Sequence, residues 1–137
     1  MITDPKIPRR IRDPELMREL VSAGRSGHCP CIVCSERYTE PHHVYLRSRG
    51  GDDVEGNIVY LCSRCHRAYH GTPYWGHFES STTDVLYDVY IDAGMVRFKL
   101  ARWLESDRGQ YCRAYLVGKL GRGVAEAYAK REFGAGL

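Results

Sequence analysis

Cys31-Ile32-Val33-Cys34 is matched further along the chain by Cys62-Ser63-Arg64-Cys65, and the second pair runs on into His66 and His70. Between them lie Glu40-Pro41-His42-His43, the polar loop Arg47-Ser48-Arg49-Gly50-Gly51-Asp52-Asp53-Val54-Glu55-Gly56, and Asn57. This stretch decides the fold because it lacks long apolar runs. A segment so rich in Gly, His, Cys and charge usually needs a metal to fold.

At 137 residues the chain is one domain, or one small core with extensions. Six cysteines could signal disulfides. However, the short, Pro-rich, basic N-terminal end does not read as a secretory signal, and paired Cys-x-x-Cys spacing then favours zinc. No segment is apolar enough to cross a bilayer, so no membrane partner and a cytoplasmic location are expected. The net charge of +3 is mild but unevenly spread. Lys6, Arg9, Arg10 and Arg12 make the N-terminal end basic. Residues 79–92 carry Glu79, Asp84, Asp88 and Asp92 with no Lys or Arg, whereas residues 96–131 are dominated by Lys and Arg. Basic segments of this kind either track a phosphate backbone or are solvated helix faces.

Residues 1–27 read as a basic arm and a short helix. Asp13-Pro14-Glu15 supplies an N-cap, a first-turn proline and an acid at the positive end of the helix dipole. Leu16, Met17, Leu20 and Val21 share one face, expected to be core rather than site, and Gly24 is the expected stop. Residues 28–78 form the central unit. A knuckle at 28–34 leads to a strand at 41–46, a polar loop at 47–56, a strand at 57–61 and a helix over 64–70 capped by Ser63. Residues 71–83 read as loop, and 85–91 as an ambiguous segment leaning to helix. Residues 79–137 are expected to be mainly helical. Faces at Val96, Leu100, Trp103 and Leu104, at Tyr111, Ala114, Tyr115 and Leu116, and at Val124 to Phe133 mark helices, with a break near Gly118–Gly123 and a stop at Gly134.

Cys31, Cys34, Cys62 and Cys65 supply enough thiolates to close a tetrahedral structural zinc site. Cys29 is near enough in sequence to compete but does not repeat the spacing, and Cys112 reads as a buried, inert thiol. His66 and His70, four apart on a helix, share a face and can hold one ion together with His42 or His43. Three imidazoles leave a position open, which is the layout of a catalytic metal site. Neighbouring strand residues point apart, so one of the His pair completes the triad and the other is free to take a proton. Asn57, at the end of the loop, can tie the loop down and help hold that base.

The order Glu40-x-His42-His43, Asn57, His66-x-x-x-His70 resembles the HNH endonucleases, and the Cys-x-x-Cys pairs resemble their zinc-bound branch in bacteria and phages. The resemblance covers residues 28–71. It implies an α+β chain built on a small ββα-metal core stapled by the four-cysteine zinc site, with an N-terminal helix and a helical C-terminal extension. By position it makes His42, His66 and His70 ligands of a catalytic ion, His43 the general base, Asn57 its orienter, and Glu40 an acid kept beside the site. Many relatives have Asp where His42 stands. The imidazole shifts preference toward Zn2+, Ni2+ or Mn2+ and away from Mg2+.

The expected activity is hydrolysis of DNA phosphodiesters, giving 5′-phosphate and 3′-hydroxyl ends as the resemblance implies. Arg47, Arg49 and Arg67 are candidates to grip flanking phosphates, with ordinary surface arginines as the other reading. Tyr74, Trp75 and His77 are expected to pack rather than touch DNA. A phage role beside a terminase comes from the resemblance alone. Two alternatives stay open: a structure-selective nuclease on branched DNA or RNA, and a zinc-ribbon binding module without catalysis.

Overall fold

The computed structural model describes residues 10–79 and 86–134. Lys6 and Arg9 of the basic arm lie outside them. The fold is α+β, with five helices and two antiparallel strand pairs among these residues.

Helix α1 spans Pro14–Arg25 and starts as its sequence requires: Asp13 Oδ1 accepts the Leu16 amide at 3.0 Å, with Pro14 in the first turn. It runs past Gly24 by one residue. Gly24 is instead a contact point, since a Cβ there would lie 2.2 Å from the Thr39 carbonyl oxygen. That close approach seats α1 beside β1 (Glu40–His43).

β1 pairs with β2 (Ile58–Leu61) in the register His42–Val59 and His43–Ile58, and α2 follows at Ser63–Tyr69. The expected strand–loop–strand–helix order therefore holds. The cap of α2 is Cys62, not Ser63: its Sγ accepts the Cys65 amide at 3.4 Å. The first knuckle is tied to this unit through Ile32 N, which donates to Tyr60 O at 3.2 Å.

The segment after α2 departs from expectation. Tyr74–Glu79 is strand β3 and Leu86–Ile91 is strand β4, paired antiparallel with Trp75 opposite Tyr90 and His77 opposite Asp88. The sequence suggests loop and then helix there; residues 80–85 lie outside the described part. The apolar spacing of Leu86, Val89 and Tyr90 suits a helix, but aromatic and β-branched side chains gain more from cross-strand pairing once a partner strand exists. The hairpin straddles residue 78, where the sequence places the end of the central unit.

Helices α3 (Ala93–Glu105), α4 (Gln110–Leu120) and α5 (Arg122–Phe133) complete the chain, with Gly121 separating the last two. They share one core with the central unit. Val44, Val59, Leu61 and Tyr69 are buried with Val96, Leu100, Leu116, Tyr128 and Phe133. Polar ties cross the same boundary. Tyr128 donates to Val44 O at 2.8 Å, and Tyr69 and Arg97 both donate to Glu132, with the Arg97 guanidinium 4.2 Å from the Tyr69 ring centroid. The helical tail thus backs β1 and α2, the two elements that carry the histidines.

Candidate active site

The two knuckles bring Cys31, Cys34, Cys62 and Cys65 together with their sulfurs all within 4.8 Å of one another. None is in a disulfide. Backbone amides already serve these sulfurs, from Val33 to Cys31 and from Cys65 to Cys62, each at 3.4 Å. The neighbouring thiols hydrogen-bond to Cys31 and hold it far below the ordinary thiol range. The contact with Cys31 pushes Cys34 and Cys65 up instead. Four sulfurs this close cannot all ionise unless a cation sits among them. The cluster is positioned to bind a metal, as the zinc-bound branch does. Cys29 stands outside it. Burial pushes the Cys112 thiol up to about 12, which matches the inert role expected of it.

A second cluster lies on the face between β1 and α2. His42, His66 and His70 place one ring nitrogen each within 4.8 Å of the others, and their ring centroids are 5.0 to 5.9 Å apart. His66 and His70 meet because they are one helical turn apart. His42 reaches them because β1 runs beside α2. Burial, then the charges of His66 and His70, lower the His42 pKa to about 3. Burial also lowers His70. Neutral imidazoles are the form that ligates a cation. Among the described residues, His42 Nε2 is the buried side-chain polar atom without a hydrogen-bond partner. A nitrogen desolvated in this way costs about 1–3 kcal/mol unless something accepts its lone pair. A divalent cation would do so, and the donor set fits one. Glu40 Oε1 meets His66 Nδ1 at 2.6 Å, which leaves Nε2 of that ring as the available nitrogen.

His43 lines the same pocket as the three histidines, from the next position on β1. Its ring is held by Asp53, with Nε2 2.9 Å from Oδ1. Asp53 also pairs with Arg10 and accepts the Asp13 amide at 3.0 Å. Burial alone would raise the Asp53 carboxyl, but the Asp13 amide, His43 and Arg10 outweigh it and keep it ionised. An ionised acceptor obliges Nε2 to carry the proton, so Nδ1 is the basic nitrogen. Burial lowers the His43 pKa below 6.5 against the opposing pull of Asp53, so the ring is neutral at pH 7.

Asn57 does not hold the base in the way the resemblance implies. Its Oδ1 accepts Tyr45 N at 2.7 Å, and Nδ2 donates to Tyr45 O and Asp52 O, each at 3.1 Å. A fully buried amide offering both donor and acceptor is used up closing the loop onto the strand, and the neighbouring carboxylate takes the imidazole instead. Sequence reasoning misses Asp53 because it is one of two adjacent acids in a polar loop. Its neighbour Asp52 is engaged by other groups, accepting from the Ile11 amide and binding Tyr115 and Lys119 of α4. Nothing local distinguishes the two.

The candidate phosphate contacts also separate. Arg47 lines the histidine pocket, and Arg67 lines a shallow cavity with Glu40, His66 and His70. Arg49 lines neither cavity; it is exposed, with its guanidinium 6.0 Å from the ring centroid of Tyr128 on α5. Tyr74 packs as expected, its hydroxyl 2.8 Å from Cys65 Sγ. Trp75 is mostly exposed, with its ring 5.1 Å from that of Tyr90. His77 is exposed too, and its Nδ1 meets Asp88 across the hairpin at 2.5 Å.

Residues 31–72 match the family model described as HNH endonuclease. The match spans both knuckles, the three clustered histidines and His43, under half of the chain. No curated protein and no solved structure matches. Among the described residues no helix is long and apolar enough to cross a membrane.

Proposed function

We propose that the chain is a metal-dependent DNA endonuclease. In this reading His42, His66 and His70 hold the catalytic divalent ion, and Cys31, Cys34, Cys62 and Cys65 hold a structural zinc. The family match supports nuclease chemistry in general. The observation that carries the site assignment is the buried, unpartnered Nε2 of His42 facing two more imidazoles, with a fourth, tethered imidazole in the same pocket.

His42, His66 and His70 would hold a divalent cation, which would supply positive charge to offset the negative charge that grows during phosphodiester hydrolysis. The chain's own residues do the rest. His43 Nδ1 takes a proton from the attacking water while Asp53 keeps Nε2 protonated and the ring aimed. The new bond joins the water oxygen to phosphorus, and the bond to the 3′ oxygen breaks, that oxygen taking a proton from solvent water, so the products are a 5′-phosphate and a 3′-hydroxyl. Glu40 fixes the His66 ring, and Asn57 closes the loop that carries Asp53. Arg47 and Arg67 steady the flanking phosphates. The three-histidine donor set favours Mn2+, Ni2+ or Zn2+ over Mg2+. The phage setting, the terminase partner and the cytoplasmic location rest on the resemblance and the sequence alone.

The test is incubation of supercoiled plasmid with zinc-loaded protein and Mn2+, Ni2+, Zn2+ or Mg2+, beside His43→Ala. Relaxed or linear product from wild type alone supports the assignment. Wild-type protein that binds DNA but leaves it uncut with every ion would replace it with a binding-module reading.

A further inference from the structure

Met17 and Val21 of α1, expected to be core, instead form a wall shared by two adjoining cavities. One is the histidine pocket. The other is an open groove of about 640 Å3 along α1. Arg12, Arg18 and Arg25 line this groove on the α1 side, and Arg47 lines both cavities. Positions 14, 18, 21 and 25 recur at helical spacing, so the arginines and the apolar wall form one stripe. Glu15 and Glu19 of the same helix do not line it. None of the four guanidiniums has an ion-pair partner among the described residues. The carboxylate that reaches the groove, Asp53, is engaged by Arg10 and His43.

Four unpaired cations converging on one groove repel one another and focus a positive potential along it. The matching occupant is a chain of negative charges at regular spacing with apolar surface between them. Arg18 and Arg25 stand about 10 Å apart along the helix axis, far enough to serve separate phosphates. The groove opens onto the histidine pocket, so a strand lying in it continues directly into that pocket.

We infer that the α1 groove is the track for the DNA strand leaving the scissile phosphate. Arg12, Arg18 and Arg25 bind separate backbone phosphates, Met17 and Val21 lie against the sugars, and Arg47 stands at the junction. The inference rests on the nuclease reading of the histidine site. It makes α1 part of the substrate-binding surface and makes affinity depend on residues outside the family-matched stretch.

The experiment measures the affinity of zinc-loaded protein for a short DNA duplex over a series of salt concentrations, without added catalytic metal. Arg18→Ala/Arg25→Ala is compared with Lys130→Ala/Arg131→Ala, which removes the same charge from exposed positions on α5. Each lost phosphate contact makes the slope of log affinity against log salt less steep by about 0.9. The α1 variant should therefore lose ~1.8 of slope and about tenfold or more in affinity, while the α5 variant keeps both. Arg18→Lys/Arg25→Lys should restore most of the slope, because charge sets it. An unchanged α1 variant, or an equal loss in the α5 variant, overturns the inference. Wild type that cuts plasmid while the α1 variant binds normally sinks the groove alone. Wild type that never cuts but shows the slope change sinks the nuclease reading alone.

Discussion

Replacing Asp53 with Asn tests the tautomer on which the proposed chemistry depends. In the native protein Oδ1 meets His43 Nε2 at 2.9 Å, Oδ2 accepts the Asp13 amide at 3.0 Å, and Arg10 adds a charged bond. An amide of the same shape cannot satisfy all three. The Asp13 amide needs an acceptor, so the Asn oxygen takes that side and its NH2 faces His43 and Arg10. Nε2 must then accept, the proton moves to Nδ1, and the nitrogen proposed to take the water's proton is no longer basic. Losing general-base catalysis costs about 10²–10⁴ in rate, and wrong-tautomer variants of catalytic histidines in serine hydrolases reach the upper end of that range. The unpaired Arg10 adds a stability loss of about 1–3 kcal/mol. Single-turnover plasmid cleavage should show the rate loss with DNA affinity largely kept, and ¹⁵N spectra of the His43 ring should show the proton shifted to Nδ1. Cleavage within about threefold of wild type, with the ring still protonated at Nε2, would refute the tautomer argument.

Three further perturbations test other parts of the structure. Cys62→Ala removes both a sulfur of the cluster and the cap of α2, so metal analysis should find the structural zinc lost and circular dichroism should find the fold lost with it. A folded, zinc-free variant contradicts the assignment. Gly51→Ala puts a Cβ 1.7 Å from the Tyr45 carbonyl oxygen, so the loop must shift and pull Asn57 off the strand. The expected result is stability lowered by about 1–3 kcal/mol, seen as a lower melting temperature, together with weaker cleavage, and an unaffected variant would mean that the loop is not closed in this way. Burial alone would raise Glu132, but Tyr69 and Arg97 outweigh it and hold its carboxyl below the ordinary 4.5. A depressed folded pKa means stability that is complete above pH about 4.5 and fades as the pH falls through the folded value. Glu132→Gln should therefore lower denaturant stability at pH 7 and flatten its decline below about pH 5. A decline as steep as in wild type would assign the acid sensitivity to other carboxylates.

The sequence by itself determined the parts whose chemistry is local. Cys-x-x-Cys spacing places two sulfurs on one knuckle, a four-residue interval places His66 and His70 on one helical face, and adjacency on a strand sends His42 and His43 different ways. Each of these depends on backbone geometry over a few residues, so the four-cysteine set and the His66–His70 pair were legible before any coordinates, while the choice of His42 over His43 came from the resemblance. The capping signals of α1 and the apolar faces of α3, α4 and α5 were legible for the same reason. What only the tertiary structure decided was every pairing between distant residues. Whether Asp52 or Asp53 serves His43, whether Asn57 closes a loop or steers a ring, and whether Arg49 lies near Tyr128 depend on which element arrives next to which. The β3–β4 hairpin became strands because each segment had the other to pair with. Met17 and Val21 left the core because the histidine pocket opens beside α1. Spacing along a chain sets which side chains share a face, but what that face meets is set by the packing of the whole molecule.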